Sequence, residues 1–113
     1  MEHIKAISTL DGRYYKLTNS LSDIFSEYGL IKHRVKIEIE WLKFIIVEYN
    51  FDNINKTELK AIDQIYKDFK IIDAKRIKEI EKTTNHDVKA VEYFIKEKLE
   101  NSNLSRIKEW VHF

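Results

Sequence analysis

The feature that most constrains this chain is its shortage of residues that interrupt helices. It contains no proline and two glycines in 113 residues, whereas average proteins use about 5% proline and about 7% glycine. Proline breaks the interior of a helix, and glycine weakens it. Helices can therefore run for many residues without interruption. We predict an all-α fold of about five helices in one domain, residues 1–113.

Charge and cysteine content argue against several classes of protein. The 20 Lys and Arg nearly balance the 19 Asp and Glu, for a net charge of +1, so we expect neither a nucleic-acid partner nor binding to acidic membranes. The absence of cysteine excludes disulfides and thiolate metal sites. No signal-peptide pattern and no apolar run of about 18 residues is present. We therefore expect a soluble, cytoplasmic protein.

Apolar residues recur at helical spacing through the first half of the chain. Between residues 21 and 49 they fall in steps of three and four, which predicts one long helix that could kink near Gly29. A second apolar row widens this face and is expected to be buried; it consists of Leu30, Ile37, Trp41 and Phe44. Residues 35–41 also alternate apolar and charged, as a half-buried strand does. We prefer a helix there because the helical period continues on both sides.

Further helices are predicted in the second half. Asn55 and Glu58 have the spacing of a capping box, and apolar residues follow it at helical spacing. Another helix is expected from Asp73, with mixed charges that are typical of a solvated surface. In the last predicted helix, Glu92 and Lys96 have the favourable four-residue spacing of an ion pair.

A compact set of polar side chains opens that last helix. Thr84 and Asp87 have the spacing of a capping box. Asn85, His86 and Asp87 would then lie at a helix N-terminus, where unpaired N–H groups and the helix dipole favour an anion. His86 can donate, accept or carry a proton. From the spacing alone, a purely structural cap is the commoner explanation.

Four blocks of the sequence resemble the adenylosuccinate lyases of the fumarase/aspartase superfamily. The blocks are Leu-Asp-Gly-Arg-Tyr at 10–14, Ile-Phe-Ser-Glu-Tyr-Gly-Leu at 24–30, Thr-Thr-Asn-His-Asp-Val-Lys-Ala-Val-Glu-Tyr at 83–93 and Glu-Trp-Val-His-Phe at 109–113. They occur in the family's order over nearly the whole chain. The resemblance implies that the chain is the N-terminal domain of such an enzyme and folds like domain 1 of the superfamily, with the central bundle and C-terminal domain absent.

The resemblance also implies a function. These enzymes eliminate fumarate from adenylosuccinate, giving AMP, and from the succinyl-carboxamide intermediate of purine biosynthesis. They act as homotetramers and require no cofactor. The four histidines of this chain are far apart in sequence and form no zinc-binding pair, so no metal site is expected. Arg13, Tyr14, Asn85, His86 and Asp87 stand at positions that contact the nucleotide substrate in the family. Whether His86 is an acid–base group or only a binding group is left open.

The alternative interpretation is a stand-alone helical module that binds another protein through an apolar face. The apolar ending at residues 110–113 is more typical of a domain cut from a longer chain. The serine and histidine that transfer protons in the family lie beyond residue 113, so we expect this chain alone to be inactive. His33, among charged neighbours, is expected to be exposed and not catalytic, and the role of His112 is left open.

Overall fold

The computed structural model describes residues 3–49 and 51–113, and of Phe51 it describes the backbone alone. Every regular element in these residues is helical, which confirms the all-α prediction. The α-helices are α1 (Tyr15–Thr18), α2 (Ser22–Phe25), α3 (Glu27–Tyr49), α4 (Lys56–Lys67), α5 (Ile71–Thr84) and α6 (Asp87–Glu100). Short 3-10 helices lie at His3–Lys5, Asn19–Leu21, Phe51–Asn53 and Ser105–Trp110. Residues 35–41 lie inside α3, so the choice of helix over strand is confirmed.

The chain divides into two compact units, Met1–Leu30 and Ile31–Phe113. The first unit contains α1, α2 and the first turn of α3, and the second contains the rest of α3 with α4, α5 and α6. None of the described helices combines the length and the apolar character needed to cross a membrane.

The helix predicted from residue 21 is interrupted at Ser26, whose backbone is extended, with φ −84° and ψ 173°. The Ser26 hydroxyl accepts a hydrogen bond from the Gly29 N–H at 3.1 Å, as a helix N-cap does. The irregularity predicted near Gly29 is therefore a break at Ser26, and α3 passes through Gly29 itself. A Cβ atom at Gly29 would lie 2.3 Å from the carbonyl oxygen of Ile24, so only glycine lets the preceding turn pack this closely.

The predicted stripe of α3 is buried from Ile31 to Ile46, whereas Tyr49 at its end is 65% exposed, and the second row is not buried. Among the buried residues are Ile31, Val35, Ile39, Leu42 and Ile46. The exposed fractions of the second row are 50% for Leu30, 66% for Ile37, 44% for Trp41 and 52% for Phe44, so the prediction of a second buried row is wrong. Within the second unit, the neighbours of α3 cover a single stripe, and the rings of Trp41 and Phe44 stack on each other with centroids 5.6 Å apart.

The core of the second unit is built around α6. Five apolar residues of α6 are at most 1% exposed: Ala90, Val91, Phe94, Ile95 and Leu99. Ile62 of α4 and Ile77 of α5 are equally buried, and Leu104, Ile107 and Val111 of the following segment complete this core. The rings of Phe69 and Phe94 meet edge to face, with centroids 5.8 Å apart.

Side chains fix where the surrounding helices begin. The predicted capping box is confirmed, since Asn55 Oδ1 accepts the Glu58 N–H at 2.8 Å and Glu58 Oε1 accepts the Asn55 N–H at 3.1 Å. α5 begins at Ile71, two residues before the predicted start, because the Asp73 carboxylate accepts the Lys70 N–H at 2.8 Å from within the first turn. The predicted pair of Glu92 and Lys96 is present at 3.2 Å.

We expect Phe94→Ala to destabilise the chain by about 3–5 kcal/mol, because it removes a fully buried ring and leaves a cavity. Phe44→Ala is the matched control, because Phe44 is 52% exposed and surface substitutions typically change stability by about 0.5 kcal/mol. Urea denaturation of both variants measures the difference. Equal destabilisation would contradict the assignment of the core to α6.

Candidate functional site

The candidate site is the short turn between α5 and α6. Asn85 ends α5 in the left-handed conformation, with φ 53° and ψ 29°, and its N–H donates to the Glu81 carbonyl at 2.8 Å. Asparagine tolerates this conformation better than most residues. His86 is extended, with φ −150° and ψ 119°, and α6 begins at the next residue. Two residues therefore reverse the chain and carry two of the candidate side chains.

His86 itself caps α6. Its Nδ1 accepts the Lys89 N–H at 3.1 Å, so the predicted capping box of Thr84 and Asp87 is wrong. α5 extends through Thr84, which places Thr84 at the end of one helix and not at the start of the next. The Thr84 hydroxyl instead accepts the His86 N–H at 3.2 Å and donates to the His86 carbonyl at 3.0 Å. These bonds hold the turn in one conformation.

The cap determines what the imidazole of His86 can offer to a ligand. Because Nδ1 accepts a hydrogen bond, the proton of the neutral ring is on Nε2. The side chain is 63% exposed. An outward Nε2–H is a donor suited to a carbonyl, carboxylate or phosphate oxygen.

Asp87 is held from two sides. Its Oδ1 accepts the Val88 N–H at 2.8 Å, and its Oδ2 pairs with the Arg34 guanidinium of α3 at 2.9 Å. The pKa of Asp87 is lowered, chiefly because the Val88 N–H donates to the carboxylate; partial desolvation opposes this shift and the Arg34 charge adds to it. Asp87 is therefore ionised at neutral pH and helps to hold the turn in place.

Arg13 and Tyr14 lie together in the first unit. Asp11 Oδ1 accepts the Ser8 N–H at 3.1 Å. Gly12 fits beneath this turn because a Cβ atom there would lie 2.7 Å from the His3 carbonyl oxygen. Arg13 and Tyr14 follow on the exposed surface, with the guanidinium carbon 5.4 Å from the centre of the Tyr14 ring. An exposed guanidinium beside an aromatic ring suits an anionic group attached to a flat ring system.

The other two histidines within the second unit differ from each other. His33 is exposed on α3, as predicted. His112 has a left-handed backbone with φ 58°, and its Nδ1 lies 2.6 Å from Glu38 Oε1. The second oxygen of Glu38 is buried without a hydrogen-bond partner among the described residues. Glu38 was missed because, in sequence, it is one of several charged residues in an alternating run.

The structure thus brings Asn85, His86 and Asp87 together in one turn, and Arg13 and Tyr14 together in the first unit. Arg34 was also missed by sequence reasoning, since it is 53 residues from Asp87 in sequence and no local motif links them. In the part of the chain that the structure describes, no three potential metal ligands are grouped closely enough to hold an ion.

Comparison with known proteins identifies relatives of the chain. No protein-family model matches it. A protein named adenylosuccinate lyase from Buchnera aphidicola subsp. Acyrthosiphon pisum is 51% identical over 97% of this chain and 25% of its own length. The adenylosuccinate lyase of Escherichia coli K12 is 44% identical over 100% of this chain and 26% of its own length. The chain is homologous to adenylosuccinate lyase.

These relatives confirm the resemblance to adenylosuccinate lyase, and the match extends over nearly the whole chain. Adenylosuccinate lyase of Haemophilus influenzae is 46% identical over 97% of the chain. The chain spans about a quarter of the length of these relatives. Because the match to the Escherichia coli adenylosuccinate lyase covers 100% of the chain, all five candidate residues lie inside it.

The charge of Asp87 gives a testable pH dependence. Since its pKa is lowered in the folded chain, the carboxylate stabilises the fold above the ordinary value of 3.8, and this contribution is lost as the pH falls through the lower folded-state value. We expect Asp87→Asn to lower the melting temperature at neutral pH and to have little effect well below pH 3.8. Melting curves of the unmodified chain and of Asp87→Asn, recorded from neutral pH to well below pH 3.8, measure this difference in stability. A pH-independent difference would show that the charge is not responsible.

Proposed function

We propose that this chain is the N-terminal, substrate-contacting domain of an adenylosuccinate lyase. The complete enzyme would eliminate fumarate from adenylosuccinate, giving AMP, and from the succinyl-carboxamide intermediate of purine biosynthesis. The observation that carries the proposal is the 51% identity to a protein of that name over 97% of the chain. The exposed turn at 85–87 supports it, because its imidazole N–H is available to a substrate oxygen.

The reaction requires more than this chain supplies. Eliminating fumarate means removing a proton beside a carboxylate and then breaking a C–N bond, which needs a base, an acid and stabilisation of a carbanion-like intermediate. In the proposal, the acid and base come from parts of the enzyme beyond residue 113. Arg13, Tyr14 and the turn at 85–87 would bind the nucleotide and its carboxylates.

We assign His86 a binding role in preference to acid–base catalysis. A neutral imidazole that accepts a proton in catalysis does so at its unprotonated nitrogen, and in His86 that nitrogen is occupied by the Lys89 N–H. The outward Nε2–H can donate a hydrogen bond throughout the reaction. Such a donor is most effective where negative charge develops in the transition state.

The assembly and location follow from the same proposal. We propose a homotetramer in the cytoplasm in which each active site is built from more than one subunit, and in which no cofactor or metal takes part. The near balance of 20 basic and 19 acidic residues gives no reason to invoke nucleic acid as a further partner.

The second candidate is a helical module that binds another protein. The observation that favours it is the exposed row of Ile37, Trp41 and Phe44 on α3. The identity to adenylosuccinate lyases along the whole chain favours the enzyme, since a module would need only its binding face to be preserved.

We expect His86→Asn in the complete enzyme to lower kcat at least about a hundredfold, because the shorter amide cannot place a donor where the imidazole Nε2–H lies. Asparagine is among the best N-cap residues. The variant therefore keeps the helix cap, which His86→Ala would lose. Steady-state kinetics with adenylosuccinate measure the loss of kcat. A thermal melt shows whether the helix cap, and with it the stability, is kept.

His33→Asn is the matched control, because His33 is exposed on α3 and is far from the turn in sequence. It should leave kcat within a few-fold of the unmodified enzyme. If His86→Asn also stays within a few-fold, the His86 ring serves as a helix cap and the proposed site is wrong.

We expect the isolated 113-residue chain to show no conversion of adenylosuccinate, because the proposed acid and base are absent from it. Its affinity for the nucleotide should be no better than about millimolar, as expected for a few polar contacts without the rest of a site. Release of fumarate and AMP by the pure chain, followed by absorbance, would contradict this expectation.

A further inference from the structure

The negative charge of Asp87 is unfavourable for binding an anionic substrate at the proposed site. Asp87 directly follows His86, and its Oδ1 lies 4.0 Å from the imidazole Nδ1. The proposed substrate carries a phosphate and two carboxylates, all negative at neutral pH. A bare carboxylate next to the binding turn would repel this substrate.

The guanidinium of Arg34, on α3, neutralises the charge of Asp87. Its guanidinium NH1 lies 2.9 Å from Asp87 Oδ2, and its side chain is 29% exposed. Arg34 is next to Val35, which is fully buried, so its backbone is anchored in the core of the second unit. The partly covered cation therefore neutralises Asp87 at short range, where salt screens least.

Arg34 also fixes the geometry of the turn. Within the turn, Asp87 Oδ1 is held by the Val88 N–H, and that local bond moves with α6. The Arg34 pair ties the second oxygen to α3, a separate part of the scaffold. Hydrogen bonds to both carboxylate oxygens restrict rotation of the Asp87 side chain, and through the adjoining backbone they restrict His86.

We infer that Arg34 is a positioning residue of the substrate site, which neutralises and orients Asp87 so that the turn at 85–87 can accept an anionic substrate. The inference rests on the proposed function, because it needs a substrate at that turn. Arg34 itself need not touch the substrate.

The test is Arg34→Met in the complete enzyme, with Arg76→Met as the matched control. Arg76 joins α5 to α6 through a two-pronged pair with Glu97, at 3.1 and 2.7 Å, so its loss also breaks an ion pair between helices. Both variants should lose a few degrees of melting temperature. We expect Arg34→Met alone to raise KM for adenylosuccinate about tenfold, with kcat within a few-fold, because it leaves an unpaired negative charge at the site.

The salt dependence of KM and the Arg34→Lys variant distinguish the proposed role from a purely structural ion pair between Arg34 and Asp87. The KM increase of Arg34→Met should shrink as salt is raised, because screening weakens the repulsion. Arg34→Lys should recover most of the KM, since it restores the charge without the planar fork. Should Arg34→Met fail to fold, Arg34→Gln, which removes the charge and keeps a hydrogen-bond donor, takes the same measurements with the same expected result.

Two failures can be told apart. If Arg34→Met and Arg76→Met lower stability alike and leave KM unchanged, while His86→Asn lowers kcat, the inference about Arg34 is overturned and the proposed site stands. If His86→Asn leaves kcat unchanged, the site itself is wrong, and the inference falls with it.

Discussion

The burial of the apolar side of α6 is the interaction on which the second unit depends. Residues of α6 that are at most 1% exposed contact a core closed by α3, α4, α5 and the final segment of the chain. A ring such as Phe94 contributes several kcal/mol when it is fully removed from water. Everything proposed about the turn at 85–87 relies on this packing, because Asn85 and His86 directly precede α6 and Asp87 begins it, and α6 cannot shift without opening the core.

The sequence was most informative where one local rule acted alone. Helical periodicity identified α6, and the capping box of Asn55 and Glu58 located the start of α4, because both patterns lie within a few consecutive residues. It failed where two rules competed. The apolar period continued through residues 21–26, but the Ser26 hydroxyl starts a new helix there, and a side-chain cap outweighs a continuing stripe at a helix end.

The residues of the candidate site could be predicted from the sequence, but their hydrogen bonds and ion pairs could not. Asn85, His86 and Asp87 stand together in the sequence, and the family resemblance selected them. His86 caps α6 because α5 extends through Thr84, which leaves Thr84 unable to cap the next helix. The spacing of Thr84 and Asp87 in the sequence does not show where α5 ends. Arg34 and Glu38 bind Asp87 and His112 across 53 and 74 residues. Pairs of this kind arise from the packing of helices, so no local pattern reveals them.

The two-residue connection between α5 and α6 has a mechanical consequence. A long loop could change its own shape when a ligand binds, whereas Asn85 and His86 have little freedom. The Asn85 N–H donates to the Glu81 carbonyl, and the His86 carbonyl accepts the Ala90 N–H. α5 and α6 are also joined by the bridge from Arg76 to Glu97, so the imidazole and the two helices form one closely connected group. Any sliding of α5 against α6 would therefore change the position of the His86 imidazole relative to a bound ligand.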